Sequence, residues 1–309
     1  DLYSLSPQKV SLLIPRNLII EISERILYTG DIFKPLDEEE VIQFLRKLDD
    51  QKVEAIAVCF LHSYVNPKHE EGAKTLMEKE YPEMHVCISS NLLREFREYE
   101  RTNATVINTY LTKIMDRYIS SIVKNLKKLG IQPPLSIMQS NGGFMSEEIA
   151  RERSVFTLLS GPAAGVIGAA FVGQLSGYPN IISIDMGGTS FDISLIEKGE
   201  PTIATESNVV GFPLKMPVID IHTIGAGGGS IAWVDAGGIL QVGPKSAGAD
   251  PGPVCYDKGG TELTVTDANL LLGRINPDFF LGGGIKLDVE PARKAVINKI
   301  VKPLGVNLE

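Results

Sequence analysis

Apolar and polar positions repeat with different periods along the chain, and the period sets the element each stretch is expected to form. Leu12-Leu13-Ile14 and Leu18-Ile19-Ile20-Glu21-Ile22, on either side of Pro15, read as strands. Asp37 with Glu40 three residues on has the spacing of a capping box, and Val41, Phe44, Leu45 and Leu48 follow at helical intervals. Residues 53–61 show no polar alternation and read as a buried strand, a helix follows Asn66-Pro67, and His85-Val86-Cys87-Ile88 gives another strand. Strand, helix, strand in that order predicts an α/β unit with parallel pairing.

The longest helix is expected over residues 93–129. Val106, Ile107, Tyr110, Leu111, Ile114, Tyr118, Ile122, Leu126 and Leu129 form its apolar stripe, and Gly130 stops it. Leu135-Ser136-Ile137-Met138 reads as a strand before the turn Asn141-Gly142-Gly143. A small-residue helix is expected over 157–175 and a strand over 180–184, ending at Asp185. A hairpin joins 231–234 to 239–242 across Asp235-Ala236-Gly237-Gly238, and a last helix runs over 289–301 to Pro303. We place the division between a first lobe, 1–150, and a second, 151–309, between Pro133-Pro134 and about Ser154.

Composition changes this picture in few places. The 309 residues suffice for about two domains and are 43% hydrophobic and 22% charged, as in globular chains. The net charge of −8, with no basic run beyond Lys127-Lys128, argues against a nucleic-acid footprint. A small polyanion is still accessible to backbone N–H groups. Cys59, Cys87 and Cys255 are far apart and form no C-x-x-C pair, which fits a reducing, cytoplasmic setting. The opening Asp1-Leu2-Tyr3 has no signal-peptide pattern, and the apolar run 162–175 is too short and too glycine-rich to span a bilayer.

The sharpest chemical signal is Ile184-Asp185-Met186-Gly187-Gly188-Thr189-Ser190-Phe191-Asp192. An apolar strand delivers Asp185, and Gly187 and Gly188 leave bare backbone that can approach phosphate oxygens, with the hydroxyls of Thr189 and Ser190 beside it. Asp185 is placed to hold Mg²⁺ through water. A plain hairpin turn of the same composition is the other reading. Asp192 either orients an attacking water, supports Asp185 or caps the turn. Thr223-Ile224-Gly225-Ala226-Gly227-Gly228-Gly229-Ser230 is a further glycine cluster, which by composition reads as a flexible turn.

Asp220 and His222 alternate along a strand and could point together at substrate or a metal, or His222 could be structural. Arg94, Arg97, Glu98 and Arg101 form a charged helix face, either solvated or in contact with a partner. Asn141 sits in a tight turn beyond a strand end, where α/β proteins bind ligands.

The Ser160-Gly161-Pro162-Ala163-Ala164-Gly165 helix followed by a strand and D-x-G-G-T-x-x-D resembles the actin, sugar-kinase and heat-shock-chaperone ATPase superfamily. That resemblance implies a ribonuclease-H-like fold in which this loop is the second of two phosphate loops and the Gly-rich turn lies against the nucleoside. The wording of several stretches narrows the match. Arg94-Glu95-Phe96-Arg97-Glu98-Tyr99-Glu100-Arg101-Thr102, Met138-Gln139-Ser140-Asn141-Gly142-Gly143, Asp220-Ile221-His222-Thr223, Ser246-Ala247-Gly248-Ala249-Asp250-Pro251-Gly252-Pro253 and Thr264-Val265-Thr266-Asp267 resemble the hydantoinase/5-oxoprolinase family.

The family resemblance implies ATP and Mg²⁺ as cofactors, a small cyclic amide as substrate, a partner hydantoinase-type subunit or domain, and an oligomer. Ketone carboxylase subunits share these motifs, and an actin-like switch is the non-enzymatic alternative. Nothing before residue 180 matches the first phosphate loop, so the chain is expected to be an internal piece, lacking the first loop's strand and with little ATPase activity by itself.

Overall fold

The computed structural model describes residues 12–48, 53–131, 134–209 and 211–308. Pro133 of the expected boundary and the opening Asp1-Leu2-Tyr3 lie outside them. The chain is a mixed α/β protein of two compact units, one of Asp1–Ala164 with Ile203–Ile219, the other of Gly165–Thr202 with Asp220–Glu309. The division thus falls near residue 164 rather than 150, and a later segment returns to the first unit.

In the first unit, strand Ala55–Val58, helix Lys68–Glu80 and strand His85–Ile88 form a crossover. The strands pair in parallel, Ala55 opposite His85 and Val58 opposite Ile88, as the pattern predicts. Helices Glu38–Leu48 and Lys68–Glu80 cover one face, where Val41, Leu45, Ala73 and Met77 pack on Ile56, Val58, Val86 and Ile88. Only alternate strand residues are fully buried, so the uninterrupted apolar run overstated the burial. At the capping box, Asp37 Oδ1 accepts the Glu40 N–H at 3.0 Å, but the Glu40 carboxylate turns to Ser23 and leaves the box half made.

The strands read at 12–22 do not form. Arg16–Leu18 is a short 3-10 turn, and Leu12 and Ile19 are 63% and 58% exposed. Pro15 fixes the local backbone, and this segment pairs with no strand among the described residues.

The long helix runs Glu98–Lys128, five residues later than expected. Before it, Ser89–Leu92 makes one helical turn, Leu93 is extended, and Arg97 sits at φ 86°. Its buried face takes in only part of the apolar stripe, Ile107 with the half-buried Leu111. Arg101, Thr105, Asn108 and Thr112 are buried at spacings of three and four, whereas Tyr110, Ile114 and Tyr118 are exposed. Thr105, Thr109 and Thr112 return their hydroxyls to carbonyls one turn back, and Asn108 bonds Glu152 O and the Val155 N–H. Polar side chains can face inward here because each finds a partner along the helix or across the turn.

The second unit is built on an antiparallel sheet in which Phe191–Glu197 lies between Ile181–Met186 and His222–Ile224. Helix Ser160–Leu175 straddles the division of the two units, and its later turns lie on this sheet. A methyl group at Gly173 would stand 2.9 Å from Ile181 Cδ1, and one at Gly165 4.0 Å from Asp185 Oδ2. Eight helical residues rise about 12 Å and four strand residues span about 13 Å, so helix and strand run antiparallel in register. The expected hairpin forms as Ser230–Val234 and Leu240–Ser246, with Asp235 Oδ1 accepting the N–H groups of Gly237 and Ile239. A small core gathers Cys255, Leu270, Leu287 and Ala292. The last helix, Val289–Val296, loosens into a π turn and passes Pro303 to end at Gly305. No helix among the described residues is long and apolar enough to cross a membrane.

Candidate functional site

Ile181–Met186 and Phe191–Glu197 are joined by the four residues Gly187 to Ser190, and the register sets Asp185 opposite Asp192. The turn closes with the Gly187 N–H on Ser190 O at 3.0 Å. The next three N–H groups, of Gly188, Thr189 and Ser190, take no partner among the described residues. Three successive free N–H groups on an exposed turn can surround an anion.

The two carboxylates beside this turn are in different states. Asp192 accepts Thr223 Oγ1 at 2.7 Å and Ser190 Oγ at 3.3 Å. Each of its oxygens takes one bond, and together they tie Asp192 to the turn. Asp185 is exposed and takes no hydrogen bond among the described residues. Because Gly165 has no side chain, the space next to its Oδ2 stays open. A hard cation that keeps most of its waters needs one or two such carboxylates, so the arrangement fits magnesium. No group of three or more His, Cys, Asp or Glu residues among those described could hold a metal on protein ligands alone.

The Gly-rich turn packs directly on this loop. The Gly228 N–H donates to Gly187 O at 3.0 Å and the Gly229 N–H to Gly188 O at 2.7 Å. Gly227 N–H goes to Ser230 Oγ, and the Ser230 N–H returns to Gly227 O. All four N–H groups are therefore spent within the protein, and Gly228 and Gly229 brace the loop from behind. The approach requires glycine: a Cβ at Gly227 would fall 2.6 Å from Gly188 C and Thr189 N. A further layer supports the brace. Thr266 donates both its N–H and its hydroxyl to Gly228 O, and the Ala247 N–H reaches Gly229 O.

Thr266 is itself held in a complete capping box. Thr264 Oγ1 accepts the Asp267 N–H while Asp267, fully buried, accepts Thr264 N–H and Cys255 N–H. Sequence reasoning recognised these stretches only by their resemblance; the T-x-x-D spacing was the signal that could have given the box directly.

Asp220 and His222 line one hollow of about 240 Å³ with Ile182, Ile193 and Leu195. His222 is opposite Ile193, so it occupies the sheet face away from Asp192, whose neighbour is Thr223. Asn141 Oδ1 accepts the Gly143 N–H at 2.9 Å, and its oxygen is engaged in the tight turn. The charged helix face is corrected at Arg101. It is 1% exposed, and the surface pair forms instead between Arg97 and Glu100.

These features define a mixed α/β protein with a glycine-braced, anion-sized turn next to a free carboxylate. The chain belongs to the hydantoinase/oxoprolinase family: the family model of that description matches residues 101–309, and that of the family's N-terminal region matches residues 1–81. It is 44% identical over 298 residues to the caprolactamase subunit alpha of Pseudomonas jessenii, covering 96% of this chain and 43% of that protein. The crystal structure of the ATP-dependent caprolactamase from that organism superposes with a TM-score of 0.80 at 42% identity, over 99% of this chain and 44% of that one. A nucleotide-free acetone carboxylase structure superposes with a TM-score of 0.81 at 34% identity, over 96% and 42%. The chain thus spans less than half the length of these relatives.

Proposed function

We infer that this chain is the part of an ATP-dependent cyclic-amide hydrolase that grips the nucleotide's phosphates, in a ribonuclease-H-like lobe whose first phosphate loop is contributed elsewhere in the polypeptide. The observation that carries this reading is the run of three unpartnered N–H groups, Gly188 to Ser190, braced by Gly228 and Gly229 and flanked by the free carboxylate of Asp185. The N–H groups would hold phosphoryl oxygens. Asp185 would take magnesium through a bound water, and the ion would neutralise charge on the phosphates as the terminal phosphoryl group moves. Asp192 would keep the turn in shape through Thr223 and Ser190. Phosphorylating the amide oxygen would remove the amide resonance and make its carbon electrophilic. Water adds there, the ring C–N bond breaks with the nitrogen taking a proton, and a second water releases phosphate from the resulting acyl phosphate. The ATP-dependent caprolactamase, at 42% identity, supports an amide substrate and a partner subunit.

A second reading, an ATP-dependent ketone carboxylase subunit, is favoured by the TM-score of 0.81 with acetone carboxylase. Phosphate release by the full-length protein with its partner separates them. Stimulation by lactams, hydantoins or 5-oxoproline supports the hydrolase, and stimulation by ketones with bicarbonate the carboxylase. Turnover indifferent to all of these would remove both. Asp185→Ala is expected to lower turnover about a hundredfold or more with the fold retained; a near-normal rate would exclude Asp185 from the mechanism.

A further inference from the structure

The motif Arg94 to Thr102 is not absorbed by the nucleotide reading, and it borders an unusual cluster in the first unit. The parallel strands Ala55–Val58 and His85–Ile88 end level with each other, and the chain leaving them brings two buried charges to the backbone of one residue, Phe60, one on its N–H and one on its carbonyl. Glu70, fully buried, accepts the Phe60 N–H at 2.8 Å, Ser89 Oγ at 2.6 Å and the Ser90 N–H at 2.8 Å. Arg101 donates Nη2 to Phe60 O at 2.7 Å and Nη1 to Glu95 O at 3.0 Å. The Tyr64 ring covers its guanidinium at 5.5 Å and touches the rings of His62 and Phe96.

Three polar atoms at this strand end have neither solvent nor a partner among the described residues: Arg101 Nε, Ser90 Oγ and His62 Nδ1. Arg101 and Ser90 are each 1% exposed. Leaving such groups unpaired is costly, and native structures do so rarely. All three can donate. Two residues here also have positive φ without being glycine, His62 at 59° and Arg97 at 86°.

We propose that the strand end formed by Val58 and Ile88 is a binding site for a small carboxylate, which would accept hydrogen bonds from Arg101 Nε, Ser90 Oγ and His62 Nδ1. The Tyr64 and Phe96 rings would form the wall for its carbon frame, with Tyr64 moving aside to admit it. Glu70 already offsets the Arg101 charge, so a phosphate dianion would be repelled more strongly here than a carboxylate. The position also follows the rule that α/β units bind ligands beyond the carboxyl ends of parallel strands. The site lies wholly in the first unit and stands independently of the nucleotide reading.

The test uses the full-length protein with benzoate as probe, read by ligand-observed NMR and by crystal soaking. Benzoate is expected at this strand end. Ser90→Ala and His62→Phe should each weaken it about tenfold, the effect of one bond to a charged group, without lowering Tm. Arg101 is left intact because it also holds Phe60 and Glu95. Binding of benzamide or inorganic phosphate as tight as that of benzoate would overturn the assignment to carboxylates. No benzoate binding, equal binding in wild type and Ser90→Ala, or ordered water satisfying all three atoms in the soaked crystal would overturn the site itself.

Discussion

Gly227 is the residue whose substitution is most constrained. A Cβ there meets backbone atoms 2.6 Å away, which cannot swing aside as a flexible side chain would. Gly227→Ala is expected to cost about 2 kcal/mol or more and to displace the loop it supports. Denaturant unfolding and nucleotide affinity would both register the change, whereas Gly188→Ala, which meets open space, should alter affinity far more than stability. The cysteines also differ sharply. Burial pushes the Cys59 thiol up to about 12, and burial with the Asp267 contact raises Cys255 further. For Cys87, burial is outweighed by hydrogen bonding from His85, Thr109 and Asn108, and the thiol falls below its ordinary value. Iodoacetamide mapping on the native protein should therefore modify Cys87 first and at lower pH, Cys59, equally half-buried, more slowly, and the fully buried Cys255 only on unfolding.

Among the elements, the crossover of the first unit and the hairpin of the second were legible because their periodicity and turn residues agree with the packing. The long helix was not. Its apolar residues do predict a helix, but much of the buried face is polar: Arg101, Asn108 and Thr112 bond to distant carbonyls and to the preceding turn. Hydropathy has no access to such partners. The partners of the Gly-rich turn are equally hidden from hydropathy, since the N–H groups of Gly228 and Gly229 go to the carbonyls of Gly187 and Gly188. The Asp185 loop itself was legible, since a strand, two glycines and two hydroxyls leave few alternatives. At this scale Glu70→Gln should be costly, about 3 kcal/mol, because an amide NH₂ would face donors that now meet a carboxylate. Thr264→Ala should cost about 1 kcal/mol. Thermal unfolding measures both, and Thr264→Ala should also slacken the brace through Thr266.

For the molecule as a whole, the raised thiols predict an alkaline limit. Cys59 and Cys255 stay protonated when folded but ionise near 9 when unfolded, so the unfolded state loses protons first as pH rises. Their contribution is complete below pH 9 and is lost above it, up to about 12 for Cys59. Stability should fall by roughly 1 kcal/mol per pH unit for each group in that window, and a Cys59→Ala variant should show a shallower decline in urea titrations at pH 9 to 11.

Because the anion turn is held from behind by hydrogen bonds that run through Thr266 to the buried Asp267, its shape is a property of the carboxyl-terminal half and not of the hairpin alone. Injuries far from any substrate, such as a cap removed or a small core loosened, would then present as poor substrate saturation long before the protein lost solubility. A screen for temperature-sensitive activity would recover them ahead of residues closer to the chemistry.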